Sequence, residues 1–304
     1  MDHQLLTYTA VVETSNFTKA AEILHTTQPA VSQQIAQLER KMGVKLLDRT
    51  NKRVETNRAG QIVYAYAVEI IRLYNHMQRL VNDLRDSPSG QLYIGASYTF
   101  GEYVLPRALA LFCSVYPDIR PAITIANTHE VVESVANGQL DIGIIEGHST
   151  NDNVQVEDFA EDTVVIVCSA NHRLTRLNRI ATPDDLANET WIVREKGSGT
   201  REVTDRTMEE YGIHPNTIME FGSTQVIKEA VEAGLGITIL SEWTIRKEIA
   251  LQTLSMVTLG LSSIRRQFSI VTKKSEFQTK STTLFQDFLH KHPKLYSISN
   301  TADD

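Results

Sequence analysis

Three patterns of apolar residues follow one another along the chain. In the first, Phe17, Ala20, Ala21 and Leu24 recur at helical spacing and share one face of a short helix. A break at His25-Thr26-Thr27-Gln28 follows, and Pro29 is suited to the first turn of the next helix. Val31, Ile35, Leu38 and Met42 then recur at offsets of four, three and four, and Gly43 is placed to end that helix. Leu5, Tyr8 and Val12 predict a preceding helix that covers the pair. The small Ala20 and Ala21 permit the close approach that a helix-turn-helix requires.

The face opposite Val31, Ile35 and Leu38 carries Ser32, Gln33, Gln37 and Arg40, with Gln28 at its leading end. Amides and hydroxyls near the start of a recognition helix can bond base edges in the major groove. A solvated polar face would show the same pattern. After Gly43, the stretch VKLLDRTNKRVETNRAG places apolar residues on either side of a basic turn. It reads as a β-wing whose Arg49, Lys52 and Arg53 meet phosphates or the minor groove.

The second pattern spans 59–86, where apolar side chains fall at Ile62, Tyr66, Ile70, Leu73, Met77, Leu80 and Leu84. That seam predicts a helix of about 40 Å at 1.5 Å per residue. Its spacing suits pairing with a second copy, although packing against its own chain would also produce it. Ser87-Pro88-Ser89-Gly90 breaks the helix. The third pattern then begins: short apolar runs (LYIGA, AITIA, DIGII, VVIVC, WIVR, ITIL, FSIVT) alternate with helical stretches. Such alternation predicts βα units, and its length fits two small α/β subdomains better than one sheet.

Composition refines this picture. The 304 residues are 41% hydrophobic and 22% charged, as in a globular protein, with a net charge of −7. Residues 1–90 nevertheless carry 11 Lys/Arg against 9 Asp/Glu, and Arg40–Arg58 holds seven basic and two acidic residues. A local basic stripe on an acidic chain suits phosphate contact without indiscriminate nucleic-acid binding. No apolar stretch is long enough to span a bilayer, and the first residues lack the features of a secretory signal. Two cysteines, Cys113 and Cys168, show no metal-ligand spacing. The expectation is a cytoplasmic protein with no membrane, metal or cofactor.

Enzyme signatures do not emerge. There is no G-x-S-x-G elbow and no GxxxxGK[ST] loop, and Gly234-Leu235-Gly236 lacks the third glycine of a dinucleotide fingerprint. His290-x-His292 has no further ligand-like partners. Four segments instead place hydroxyls and glycines at strand–helix junctions: Gly95–Gly101, Ala126–His129, Glu195–Arg201 and Phe221–Gln225. Ligands of α/β sheets gather outside the carboxyl ends of strands, where helix N-termini favour anions. The Arg of GSGTR adds a guanidinium able to grip an oxyanion by two bonds. Singly, each segment could be simple helix capping. Together they predict one cleft, with Ser97, Thr99 and Thr128 on one side and Ser198, Thr200, Arg201 and Thr224 on the other.

The run FTKAAEILHTTQPAVSQQIAQLERKMGVKLLDRTNKRVETNRAG resembles the N-terminal domain of LysR-type transcriptional regulators, and the resemblance covers essentially the whole chain. It implies a multi-domain protein: a winged helix-turn-helix, a dimerising linker helix, and a two-subdomain α/β effector domain like periplasmic binding proteins. The matching DNA-contact positions are Thr27, Gln28, Pro29, Ser32, Gln33, Arg49 and Arg53. Implied partners are double-stranded DNA bearing an inverted repeat, a small and anionic effector, further copies as homodimer or homotetramer, and RNA polymerase if the protein activates. The segments around Tyr98–Gly101, GSGTR and GSTQVIKEAVEAGLGI look most like the branch governing sulfur assimilation or carbon fixation. Expected boundaries are 1–58, 59–87 and 88–295. Within the last, 90–161 and 266–295 form subdomain I, and 162–265 form subdomain II. The alternatives are a redox-sensing regulator using Cys113 or Cys168, and a ligand-binding protein without a specific DNA function.

Overall fold

A computed structural model describes residues 3–49, 54–84, 88–177, 179–257, 264–275 and 277–296. The chain divides into two compact units, 1–85 and 86–304.

In the first unit, α1 (His3–Thr14), α2 (Phe17–Ile23) and α3 (Gln28–Met42) precede a two-stranded antiparallel wing, β1 (Leu47–Arg49) and β2 (Val54–Thr56), and then α4 (Arg58–Asn82). Each start has a local cause. Asn16 caps α2 by accepting from the Thr18 and Lys19 amides, Thr27 caps α3 through the Ala30 amide, and Asn57 caps α4 through Gly60. Tyr8, Val11, Ala20, Ala21, Val31, Ile35, Leu38 and Leu46 form the buried core. Met42, expected on that face, is half exposed because the helix ends there and the chain turns away. Gly60 is required by packing: a Cβ there would lie 2.1 Å from the Leu46 carbonyl oxygen and 2.7 Å from the Tyr8 hydroxyl. α4 therefore seats closely against the core of its own unit at its start, while Ile62, Tyr66, Ile70, Leu73, Met77 and Leu84 stay exposed; Leu80 is partly buried.

The second unit begins with β3 (Gly90–Ala96), a π-helical turn (Phe100–Val104), α5 (Leu105–Val115), β4 (Ile119–Ile125), α6 (Thr128–Ala136) and β5 (Ile142–Glu146). β3 pairs in parallel with both β4 and β5. The long strand β6 (Val154–Ser169) leads to α7 (Pro183–Ala187), β7 (Thr190–Arg194), α8 (Gly199–Glu210), β8 (Thr217–Phe221), α9 (Thr224–Glu232), β9 (Thr238–Ser241), α10 (Glu242–Ala250) and β10 (Leu254–Val257). The return is β11 (Ile264–Lys273), followed by α11 (Lys280–Lys291).

The hydrogen-bonded strand order is β10-β6-β11-β5-β3-β4, with β9 also on β6 and the parallel pair β7-β8 bridged through Trp191 and Ile237. Val131, Val135 and Val271 pack on one face of the β3–β4–β5 half, and Phe100, Phe112, Phe268 and Phe285 on the other. Val164, Trp191, Val203 and Ile239 belong to the core of the other half, beside a second cluster around Ile192, Ile227 and Leu240. β6 and β11 pair antiparallel along their length and serve both halves, with a register shift at Phe268/Ser269. The boundaries expected at 161/162 and 265/266 thus fall inside continuous paired strands. No described helix is long and apolar enough to cross a membrane.

Candidate DNA interface and effector cleft

Capping and core packing orient α3. With Val31, Ile35 and Leu38 inward, Thr27, Gln28, Pro29 and Gln33 are exposed and Ser32 is half buried. Gln37 belongs to a different face: its Oε1 accepts from Gln4 Nε2 at 3.1 Å, which ties it to α1 rather than to a polar outer surface. Arg49 sits in the wing opposite Val54, and Lys52 and Arg53 lie outside the described residues. Glu39 carries a role not visible in the helical pattern. It is buried, accepts from the Leu46 amide at 3.0 Å and pairs with Lys45 at 2.7 Å, fastening the wing to the end of α3. Burial opposes its charge, but the bonds from Lys45 and the Leu46 amide prevail and hold its carboxyl below the ordinary value.

The seven residues expected around one cavity are distributed among distinct surroundings. Thr128, Ser198 and Arg201 line an open cavity of about 590 Å³, together with His129, His148 and Lys196. Thr99 and Thr200 instead flank a buried guanidinium. Arg266 donates from Nη2 to Thr99 Oγ1 at 3.0 Å and from Nη1 to Thr200 Oγ1 at 2.9 Å. Thr224 Oγ1 accepts from Arg194 Nη1 at 3.1 Å, and Ser97 Oγ donates to the Ile144 carbonyl at 3.3 Å.

Arg201, the guanidinium of GSGTR, has partners within the protein. Its Nε bonds Asp205 at 2.9 Å, while its Nη1 bonds Glu220 at 2.7 Å and the Arg194 carbonyl at 3.0 Å. Placement on α8, one turn before Asp205, favours the intrahelical pair. Nε and Nη1 are thus engaged within its own half, while the side chain still lines the cavity.

Four buried charges take the central position instead. Arg266 Nε pairs with Asp162 Oδ2 at 2.7 Å, and Asp162 Oδ1 accepts from Ser241 at 2.6 Å. Glu146 lies 3.7 Å from Arg266 Nη1 and accepts from the Phe100 amide at 3.1 Å. Burial pushes the Asp162 carboxyl above its ordinary value, with Arg266 and Ser241 opposing and Glu146 adding to the rise. Arg194 lies over the Tyr98 ring at 4.3 Å and clasps Glu195 through two bonds. The halves also touch directly. Gly199 N donates to Thr128 Oγ1 at 3.3 Å and His129 N to the Gly197 carbonyl at 3.0 Å. A Cβ on Gly199 would stand 2.0 Å from the Glu146 carbonyl oxygen, so only glycine permits this closure.

Sequence reasoning passed over these charges, yet a signal was present. Each continues the inward parity of its strand: Ile142, Ile144, Glu146; Asp162, Val164, Ile166; Ile192, Arg194; Arg266, Phe268, Ile270. A charge in phase with core residues along a strand marks a buried polar site. Cys168 is fully buried, and burial followed by the Glu189 charge pushes its thiol up to about 11, which disfavours the reactive thiolate; Cys113 is half buried against the aromatic core.

Residues 3–61 match the family described as "Bacterial regulatory helix-turn-helix protein, lysR family", and residues 85–294 match "LysR substrate binding domain". The chain is 38% identical over 281 residues to the HTH-type transcriptional regulator CysL of Bacillus subtilis, covering 92% of this chain and 94% of CysL. Full-length CbnR, solved in complex with its target DNA, superposes with a TM-score of 0.73 at 21% identity, over 96% of this chain and 99% of that one. The regulatory domain of Synechocystis CcmR in complex with 2-PG gives 0.62 at 26% identity, over 68% of this chain and 98% of that one. With both of its units matched and a relative of this identity along nearly its whole length, the chain belongs to the LysR family of bacterial transcription regulators.

Proposed function

We propose that this LysR-type regulator binds a promoter inverted repeat as a homodimer or homotetramer paired through α4, and that a small anionic metabolite bound between its two α/β halves sets its activity. The observation that carries the effector reading is a shortage of acceptors in the cleft. Among the described residues, the hydroxyls of Thr99, Thr200 and Thr224 accept bonds from buried arginines, but their own protons meet no acceptor. Ser198, 5% exposed at the start of α8, makes no side-chain bond at all. For the three buried threonines an unpaired donor costs about 1–3 kcal/mol each, whereas Ser198 faces the open cavity. A ligand rich in acceptor oxygens would satisfy them. The N-terminus of α8 opens onto the neighbouring cavity and favours an anion there, although Glu133, Glu202 and Asp205 share the lining with Lys196 and Arg201.

For DNA, the exposed Thr27, Gln28, Pro29 and Gln33, with half-buried Ser32 beside them, support major-groove reading by the start of α3. Arg49 of the wing, and Arg53 outside the described residues, are assigned to the backbone or minor groove. The apolar stripe of α4 supports self-association, because so many half-exposed large side chains on one helix would otherwise face water. The likeness to CysL and CcmR supports a role in sulfur or carbon assimilation, with RNA polymerase as a further partner if the protein activates.

The test is retardation of the DNA upstream of the protein's own gene, in excess nonspecific DNA and over a range of salt. Sequence-specific binding is expected, and Ser32→Ala/Gln33→Ala should weaken it by roughly 5- to 150-fold, the equivalent of about 1–3 kcal/mol of base discrimination. Titration of small metabolite anions into the complex should change its mobility or affinity. Retardation of every sequence alike, lost equally as salt rises, would mean phosphate attraction alone and would sink the reading.

A further inference from the structure

We infer that Arg266 is the residue that reads the effector, and that the group it reads is a singly charged carboxylate; this rests on the reading of the cleft as the effector site. Arg266 is 4% exposed on β11, a strand that serves both halves of the unit. Arginine–carboxylate pairs are frequently two-bonded, as Arg194 and Glu195 are here. In Arg266 only Nε bonds Asp162, Nη1 bonds the Thr200 hydroxyl at the start of α8 with Glu146 3.7 Å away, and Nη2 bonds the Thr99 hydroxyl after β3. Those hydroxyls bring protons of their own that meet no acceptor among the described residues. Guanidinium and hydroxyls thus form a ring of donors, and an oxyanion, which only accepts, completes it.

The position also explains how one bound group could act on both halves. Thr99 and Thr200 come from opposite halves and meet on the same guanidinium. Seating a carboxylate between the fork and its hydroxyls requires the halves to part by roughly one hydrogen-bond length, about 3 Å. Ser198, two residues before Thr200, joins this point to the open cavity. Binding is therefore coupled to the separation of the halves, as a ligand-driven shift requires.

Charge selects the class. Asp162 at 2.7 Å and Glu146 at 3.7 Å already set two carboxylates against one guanidinium, and Arg194 is matched by Glu195. A singly charged carboxylate adds less repulsion than doubly charged sulfate or phosphate. Arg201 bonds Asp205 through Nε and Glu220 through Nη1, both within its own half, so a group held there would not bridge the two halves.

Thermal unfolding of the full chain tests the assignment, with acetate, glycolate and pyruvate against sulfate, inorganic phosphate and a chloride control at equal ionic strength. At least one carboxylate should raise the midpoint above the chloride control, and by more than sulfate or phosphate does. Arg266→Gln should lose that rise, while Arg201→Gln should keep it. Because a lone Arg266→Gln leaves Asp162 buried and unpaired, Asp162→Asn/Arg266→Gln is measured beside it, and Thr99→Val/Thr200→Val leaves the ion pair whole. Loss in all three, with the basal midpoint retained in at least one, supports the assignment. A rise retained without Arg266 and lost without Arg201 would overturn it while leaving the cleft as the effector site. A stronger response to sulfate or phosphate would overturn the charge argument. If no oxyanion stabilises the wild type, the Arg266 assignment falls, and the cleft reading is then decided separately by metabolite titration of the DNA complex.

Discussion

The two units use glycine in the same way and should respond to its loss in opposite ways. Gly60 lets α4 approach the Leu46 carbonyl and the Tyr8 hydroxyl inside a single core. Gly199 lets α8 approach the Glu146 carbonyl across the contact between two halves. An added Cβ would stand 2.1 Å from backbone oxygen in the first case and 2.0 Å in the second. The difference lies in what can yield. A packed core resists, whereas two halves joined by continuous strands can part.

That contrast predicts the largest effect. Gly60→Ala should destabilise the N-terminal unit by about 3 kcal/mol, the upper end for overpacking, and should abolish DNA retardation. Gly199→Ala should leave calorimetric stability within about 1 kcal/mol of wild type, the clash being relieved by opening instead of by strain in a core. It should expand the protein in small-angle scattering and remove the response to effector. If Gly199→Ala unfolds the chain as Gly60→Ala does, the contact between the halves is a rigid core, and the coupling of ligand to opening fails.

The same contrast governs what could be read from the residues. In the first unit, function and fold are written at helical spacing over fewer than sixty residues. Capping at Asn16, Thr27 and Asn57 and the inward face at Val31, Ile35 and Leu38 follow from neighbours in the chain. Gln37 escaped because its partner Gln4 lies 33 residues away. In the second unit, strand-end hydroxyls were recognisable one segment at a time, but their partners were not. Thr99 meets Arg266 across 167 residues, and Asp162 meets it across 104. Arg201 stood beside the Ser-Gly-Thr motif and drew the effector role that the inference above gives to Arg266. Its spacing from Asp205 was the local warning. The parity of Arg266 with Phe268 and Ile270 was the missed indication of an inward-facing cation.

A second prediction sharpens the division between buried and exposed faces of one helix. The early turns of α4 pack on their own unit through Ala59, Val63 and Tyr64, while Ile70 and Leu73 are about half exposed. Ile70→Asp/Leu73→Asp should therefore spare the folded unit but break self-association. Losing two apolar anchors at about 1.5–3 kcal/mol each weakens the dimer by roughly a hundredfold or more. Sedimentation equilibrium reads this directly. A doubly substituted protein that still sediments as the wild-type oligomer would remove α4 as the pairing surface.

The smallest effect concerns Glu39, where a buried charge serves the N-terminal unit alone. Its folded-state carboxyl is held below the ordinary value, as burial is outweighed by the bonds from Lys45 and the Leu46 amide. The sign follows: the stabilisation is present at pH above the unfolded-state value, about 4.3, and is lost as the pH falls through the lower folded-state value. Glu39→Gln should cost about 1–3 kcal/mol at neutral pH, since the amide keeps at best one acceptor for the Leu46 amide and loses the charge that Lys45 pairs. The gap between variant and wild type should narrow on acidification below that range, as the wild-type carboxyl takes up its proton and surrenders the same bonds. In the second unit, Asp162 is shifted the other way, because burial there outweighs its arginine. Denaturant melts of the two units should therefore diverge below pH 5, with Glu39→Gln flattening the acid limb of the first unit only. Equal gaps at pH 7 and pH 3 would mean that Glu39 acts through shape and not through charge, and the wing would then be fastened by packing around Leu46 and Leu47.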